Sequence, residues 1–261
     1  MVLTKKILPI MKEAAKLMLS AHSVEEDDSI GAKSGDANFV TVYDKATQDY
    51  LISEISKAVP GATFVAEEQE NDFSVLMGDY VFVIDPIDGT TNFIHGYMHS
   101  SISVACVSSG EIVFGAVYNP YLDEMFYAER GCGAFLNERK ISVSERDLKS
   151  AVCCFGTSPY YKDELADKTF SIAKALFLKV ADIRRLASAA LDLCYIAAGR
   201  ADMFFELRLS PWDFAAGALI ITEAGGVITD FDGNPINLSK PCSILAASKA
   251  AYPSLFDIAN G

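Results

Sequence analysis

Tyr80-Val81-Phe82-Val83-Ile84-Asp85-Pro86-Ile87-Asp88-Gly89-Thr90-Thr91 is the stretch on which the fold and the chemistry of this chain turn. Its first five residues have the β-branched and aromatic content of a buried strand. Two carboxylates three positions apart then leave the strand, Pro86 stiffens the turn between them, and Gly89-Thr90-Thr91 predicts a helix opening. Asp85 and Asp88 offer the hard oxygen ligands that Mg²⁺ prefers, and unpaired backbone N–H groups at a helix start favour a phosphate. A plain turn with a helix cap accounts for one Asp and one Thr, but not for two carboxylates around a proline.

Before this stretch, residues 1–20 carry Ile7, Ile10, Met11, Ala14, Leu17 and Met18 at three- and four-residue steps, which predicts an amphipathic helix. Pro9 belongs in its first turn or kinks it. Lys12, Glu13 and Lys16 interrupt the apolar pattern, so the segment lacks the continuous core of a signal peptide. Residues 23–38, with Glu25-Glu26-Asp27-Asp28, read as a long exposed loop or hairpin whose acids are solvated. Residues 44–58 predict a second helix, ended by Pro60-Gly61, and residues 63–66 a strand that runs into Glu67-Glu68.

After it, residues 102–107, 112–118, 124–128 and 133–136 predict a meander of antiparallel strands. Helices are expected at 164–179, 188–198 and 214–224, and short strands at 227–229 and 244–246. No regular βαβ period emerges, so the expected class is α+β, layered, with mostly antiparallel sheet and not a doubly wound parallel one. With no repeat or linker, residues 1–261 are expected to form a single unit.

Hydrophobic residues make up 51% of the 261 and charged ones 22%, which excludes a disordered chain. A net charge of -13 argues against direct nucleic-acid binding, which relies on clustered Lys and Arg. It also makes a phosphate substrate a puzzle that bound divalent cations would resolve. No apolar run reaches the ~18–20 residues of a membrane span. Six scattered cysteines without a secretory segment suggest reduced thiols in the cytoplasm, mostly as small core residues.

Glu67, Asp85, Asp88 and Asp213 each stand at the end of a strand-like segment or the start of a helix, where loops present carboxylates. Glu67-Glu68 and Asp213 alone would be weak signals, because carboxylates are mostly exposed. His95 and His99 have the spacing of a helical zinc pair, but position 96 is glycine and the catalytic glutamate is missing. Asp230-Phe231-Asp232-Gly233-Asn234 lacks the later glutamate of a calcium loop and predicts a hairpin turn, and Gly131-Cys132-Gly133 predicts another turn.

Four blocks in order resemble the inositol monophosphatase family of lithium-sensitive, Mg²⁺-dependent phosphatases. They are Lys33 with Val40-Thr41-x-x-Asp44, Glu67-Glu68, residues 85–93 from Asp85 to Phe93, and Trp212-Asp213 with Ala215-Ala216-Gly217. Ala66 departs from the glycine that the family often has before its two glutamates. The resemblance implies an inositol monophosphatase-like layered α/β sandwich and hydrolysis of a small phosphate monoester, inositol 1-phosphate foremost. Fructose 1,6-bisphosphate, 3'-phosphoadenosine 5'-phosphate and histidinol phosphate are the alternatives, and a regulatory role through a protein partner is a reading of a different class.

By the same resemblance Glu67, Asp85 and the carbonyl of Ile87 hold one Mg²⁺, and Asp85, Asp88 and Asp213 a second. A third would share Glu67 through water. Thr90 and Asp44 orient and help deprotonate the attacking water with Glu67, and the Gly89 and Thr90 N–H groups hold phosphate oxygens. Lys33 is either a phosphate contact or a solvated loop lysine. Ala187, Ser188, Ala189 and Glu206 meet the alcohol, unless Glu206 is simply an exposed strand-end residue. Arg184-Arg185 offers a second anion contact or surface salt bridges. A homodimer and lithium sensitivity complete what the family resemblance implies.

Overall fold

A computed structural model describes residues 1–21, 30–32 and 39–261. The first helix, α1 (Val2–Leu19), buries Thr4, Ile7, Met11, Ala14, Ala15 and Met18, and it runs on through Pro9. Strands β1 (Ile30–Ala32) and β2 (Phe39–Thr41) pair antiparallel. Most of the expected 23–38 loop, Lys33 included, lies outside the described residues. Thr41 caps α2 (Val42–Ala58). Then come β3 (Thr63–Ala66), β4 (Val81–Asp88), α3 (Thr90–Ile94) and the meander β5 (Ser101–Ser108), β6 (Glu111–Asn119), β7 (Glu124–Glu129), β8 (Ala134–Leu136) and β9 (Arg139–Ile141).

The C-terminal part holds β10 (Val152–Phe155), α4 (Lys162–Phe177), β11 (Asp182–Arg184), α5 (Ala189–Ala197), β12 (Met203–Leu209), α6 (Pro211–Glu223), β13 (Val227–Thr229), β14 (Cys242–Ala247) and α7 (Tyr252–Asn260). A seven-stranded sheet runs β3-β4-β5-β6-β7-β8-β9, and a five-stranded sheet runs β11-β10-β12-β14-β13. Only β3–β4, β10–β11 and β10–β12 are parallel among the pairs within these two sheets. The fold is thus an α+β layered sandwich of two mixed, mostly antiparallel sheets, as expected. No helix among the described residues is long and apolar enough to cross a membrane.

Side-chain alternation sorts the strands into layers. Val81 and Val83 of β4 face a central core shared with α5 and α6, whereas Phe82 and Ile84 face α1 and α2. In the smaller sheet Phe204 and Ile244 face that central core, and Met203, Phe205 and Leu245 face α4 and α7. Helices α5 and α6 therefore lie between the two sheets, and both bring their N-terminal ends to one cleft. The approach is close. A Cβ on Gly115 of β6 would stand 2.6 Å from the Ala216 carbonyl oxygen of α6, and one on Gly217 would stand 2.8 Å from Leu193 of α5.

The expected turn at Pro86 is corrected by the structure. Strand β4 continues through Pro86 to Asp88, with a register shift in which Asp85 pairs with Ser103 and Asp88 with Ser101. Three steps on β4 thus oppose two on β5, which is a β-bulge with one extra residue. In a regular strand, residues three apart point to opposite faces, and the extra residue reverses that parity. Asp85 and Asp88 both line the same cleft in consequence. The turns expected at Gly131 and at Asp230 are present, the latter closed by Asp232 N and Asn234 N donating to Asp230 Oδ1.

The tight seam between β6 and α6 predicts that Gly115→Ala destabilises the protein by about 1–3 kcal/mol, as overpacking does. Urea unfolding of the variant beside the wild type checks this, and an unchanged midpoint would contradict it.

Candidate active site

One cleft meets the end of β4. Its volume is about 290 Å³, and Glu67, Asp85, Ile87, Asp88, Gly89, Thr90, Ala187, Ser188, Ala189, Glu206 and Asp213 all line it. Glu67 comes from the end of β3, where its N–H donates to Ile84 O at 3.1 Å and so sets it beside Asp85. Its neighbours are pinned as well: Glu68 N donates to Gln48 Oε1 at 2.9 Å, and the Asn71 amide both accepts from Ala66 N and donates to Ala66 O. Asp213 sits in the first turn of α6, and Asp88 faces the first turn of α5.

Each of three buried or half-buried carboxylates has one oxygen fixed by the protein. Asp85 Oδ1 accepts from Ile87 N at 3.0 Å, and Asp213 Oδ2 from Ser210 N at 2.6 Å. Asp88 Oδ2 accepts from the Ser188 hydroxyl at 2.5 Å and Ala190 N at 2.9 Å. Fixing one oxygen orients the other, which is how a ligand carboxylate is usually aimed. Burial, followed by the charges of Glu67, Asp88 and Asp213, holds Asp85 well above the ordinary carboxylate range. Asp213 is likewise held well above it by burial and then by Glu67 and Asp88. Asp88 is pushed up to about 6, mainly by burial, with Ser188 and Ala190 opposing the rise.

These groups fit a divalent cation chemically. They are hard oxygen donors, each with a constrained geometry, and their mutual repulsion is what a nearby positive charge relieves. Among the described residues no three His, Cys, Asp or Glu side chains close around one point as a finished metal shell.

Behind the cleft floor lies Asp44, 1% exposed and absent from the lining. Its Oδ2 accepts from Thr41 N and Thr41 Oγ1, while Oδ1 is buried without a hydrogen-bond partner. Burial raises this carboxyl to about 7. Thr90 and Asp44 do not share a hydrogen bond here, and Thr90 Oγ1 donates to Ile87 O at 3.1 Å. Gly89 precedes α3 with φ +88°, and a Cβ there would stand 2.9 Å from Ala187 O. Only glycine combines that conformation with that approach.

The opposite wall comes from the smaller sheet. Glu206 is 6% exposed in β12, so it is not the surface residue that one reading of the sequence offered. Its Oε1 accepts from Ser158 N at 2.7 Å and Ser158 Oγ at 3.3 Å. A Cβ at Gly156 would overlap the Glu206 carboxylate, so glycine there makes room for it. Burial raises Glu206 to about 7, opposed by the Ser158 bonds and by Arg185. Sequence reasoning missed residues 156–161, Asp192, Arg208 and Ser210, all of which line the cleft. The one available signal was Gly156-Thr157-Ser158-Pro159, a turn-rich stretch after an apolar run.

Residues 2–260 match the model of the inositol monophosphatase family. The chain is 42% identical to the Nus factor SuhB of Escherichia coli strain K12 over 217 residues, 82% of this chain and 80% of that one. It is 41% identical to the fructose-1,6-bisphosphatase/inositol-1-monophosphatase of Thermotoga maritima over 210 residues, covering 80% and 78%. The crystal structure of the extragenic suppressor protein suhB from Bartonella henselae superposes with a TM-score of 0.89 at 34% identity, covering 99% of this chain and 98% of that one.

Burial of Glu206 has a signed consequence. Its carboxyl titrates at about 7 in the folded protein against an ordinary 4.5, so the folded state holds this proton more tightly. The resulting stability is complete below pH 4.5 and is lost as pH rises through about 7. Glu206→Gln is therefore expected to match the wild type near pH 4.5 and to exceed it by about 2–3 kcal/mol at pH 8, at roughly 1.4 kcal/mol per unit. Denaturant unfolding at the two pH values checks this, and a difference independent of pH would contradict it.

Proposed function

The chain belongs to the inositol monophosphatase family, and from that premise we propose that it is a Mg²⁺-dependent hydrolase of small phosphate monoesters, with inositol 1-phosphate as its substrate. The observation that carries this reading is the bulge in β4, which turns Asp85 and Asp88 onto one cleft beside Glu67 and Asp213. Glu67, Asp85, the Ile87 carbonyl, Asp88 and Asp213 are the residues that would hold two or three ions. Bound there, Mg²⁺ supplies charge neutralisation for the phosphate and a more acidic water.

The protein's own groups complete the chemistry. Backbone N–H groups of Gly89 and Thr90, at the opening of α3, would donate to phosphate oxygens. Thr90 would hold the attacking water through its hydroxyl, with the unpaired Asp44 oxygen as the acceptor that polarises it and Glu67 as a further base. Lys33 is a further phosphate contact in this reading. On the alcohol side, residues 187–189 shape the wall, and Glu206 accepts hydrogen bonds from substrate hydroxyls. Lithium sensitivity, a homodimer and a cytoplasmic location belong to the same reading.

A second reading rests on the relatives that are named Nus factors. In it the chain also acts through a protein partner, and its -13 charge keeps nucleic acid from being a direct contact.

One variant tests both readings. Wild-type protein is expected to release phosphate from inositol 1-phosphate only with Mg²⁺, and Asp88→Asn to lower kcat/KM by about two orders of magnitude or more, as loss of one charged active-site group does. Near-normal turnover would contradict the site assignment. A cellular role that persists in the inactive variant supports the partner reading, and one that is lost with activity contradicts it.

A further inference from the structure

Tyr160 lines the cleft from the smaller sheet's side, in the 3₁₀ turn Pro159–Tyr161 that follows β10. The turn is held firmly. Ser158, just before it, keeps φ +41°, a left-handed conformation that a residue with a side chain holds only when its surroundings impose it. Those surroundings are Glu206, which accepts from Ser158 N at 2.7 Å, and the Arg208 carbonyl, which accepts from Ser158 Oγ at 3.1 Å. Tyr161 N closes the turn on Ser158 O at 2.8 Å, and the Arg208 guanidinium lies 4.0 Å from the centre of the Tyr161 ring. Successive side chains in such a turn point about 120° apart, so anchoring Tyr161 on Arg208 fixes a different direction for Tyr160.

That direction is toward the carboxylate floor. Tyr160 is 50% exposed as a residue, yet burial, followed by the charges of Glu67, Asp213, Asp85 and Asp88, holds its phenol above the ordinary range. The ring therefore meets solvent along one side while its hydroxyl end turns inward. All four floor carboxylates act on that hydroxyl, but it donates to none of them and has no other hydrogen-bond partner among the described residues. Other cleft hydroxyls are already committed: Ser188 donates to Asp88, Ser158 to the Arg208 carbonyl and Thr90 to the Ile87 carbonyl. Tyr160 thus faces the floor across a gap, within a cleft of about 290 Å³. A phenol suits that place, because it donates a hydrogen bond without adding a fixed cation that would compete for the carboxylates.

We propose that the Tyr160 hydroxyl donates a hydrogen bond to an oxygen of the reacting phosphate, across the cleft from the Gly89 and Thr90 N–H groups. This inference rests on the phosphatase reading above and adds to it a catalytic residue from the C-terminal half of the chain. A donor aimed at a phosphoryl oxygen stabilises the charge that hydrolysis redistributes. The competing role is that of a wall: the ring alone screens the cleft from water, and the hydroxyl is incidental.

The experiment compares wild type, Tyr160→Phe and Tyr160→Ala, with unfolding midpoints showing that each is folded. Trp212 is the single tryptophan of the chain and lines the cleft, so its fluorescence reads the binding of Mg²⁺ and of inorganic phosphate without turnover. In Tyr160→Phe, kcat/KM for inositol 1-phosphate is expected to fall about tenfold or more, as loss of a hydrogen bond to a charged acceptor does. Inorganic phosphate, with Mg²⁺ present, is expected to bind more weakly to the same variant, while its Mg²⁺ titration matches the wild type. Tyr160→Phe with wild-type turnover and phosphate affinity overturns the inference alone, even where Tyr160→Ala is impaired, because the ring would then be the acting part. A shifted Mg²⁺ titration with unchanged phosphate affinity overturns it as well, since the hydroxyl would then serve the carboxylates. A wild type that hydrolyses no phosphate monoester overturns the phosphatase reading itself and takes this inference with it.

Discussion

Burial of carboxylates that share one cleft, compounded by their mutual repulsion, is the constraint on which the site depends. Asp85, Asp88 and Asp213 are held above the ordinary carboxylate range by burial and by one another's charge, with Glu67 contributing to all three. A fold has no reason to assemble such a group for stability alone, because unpaired buried charge is expensive. The bulge at Pro86 nevertheless forces Asp85 and Asp88 onto one face, and fixed hydrogen bonds hold one oxygen of each. On the reading proposed above, a divalent cation is the partner that reconciles these facts.

The layers divide the labour. The larger sheet and the N-terminal ends of the two central helices supply the floor, where the sequence separates Glu67 from Asp213 by more than half the chain. The smaller sheet supplies the opposite wall, through Glu206 and the residues that pack around it. Gly115 and Gly217 permit the central helices to approach the larger sheet and each other closely enough for both halves to meet at one cleft. Ser188 joins the halves directly, because its hydroxyl binds Asp88 from the larger sheet while its backbone opens α5.

What could be read in the sequence follows the same physics. Strand β4 was legible from its β-branched and aromatic run and the meander from the turn residues that bound its strands, and the carboxylates stood out against that pattern. The bulge was not legible, since it exists only in the pairing of Asp85 and Asp88 with Ser103 and Ser101. Strands β10 and β12 were missed because each is buried on both faces and their apolar runs, Cys153-Cys154 and Met203-Phe204-Phe205, lack the β-branched residues that marked β4. The burial of Glu206 likewise depends on Gly156, 50 residues earlier, which no local pattern connects to it. Helix α7 went unread because it is short and buries only Leu255 and Ala259.

The most direct measurement is thermal unfolding of the wild type and Asp85→Asn, each with and without millimolar Mg²⁺. Ligand linkage predicts that Mg²⁺ raises the wild-type Tm by several degrees. Without metal, Asp85→Asn is expected to melt above the wild type, because one of the repelling charges is gone, and to gain little from Mg²⁺. A wild-type Tm indifferent to Mg²⁺, or a metal-free Asp85→Asn that melts below the wild type, would contradict the claim that these carboxylates are gathered for a cation.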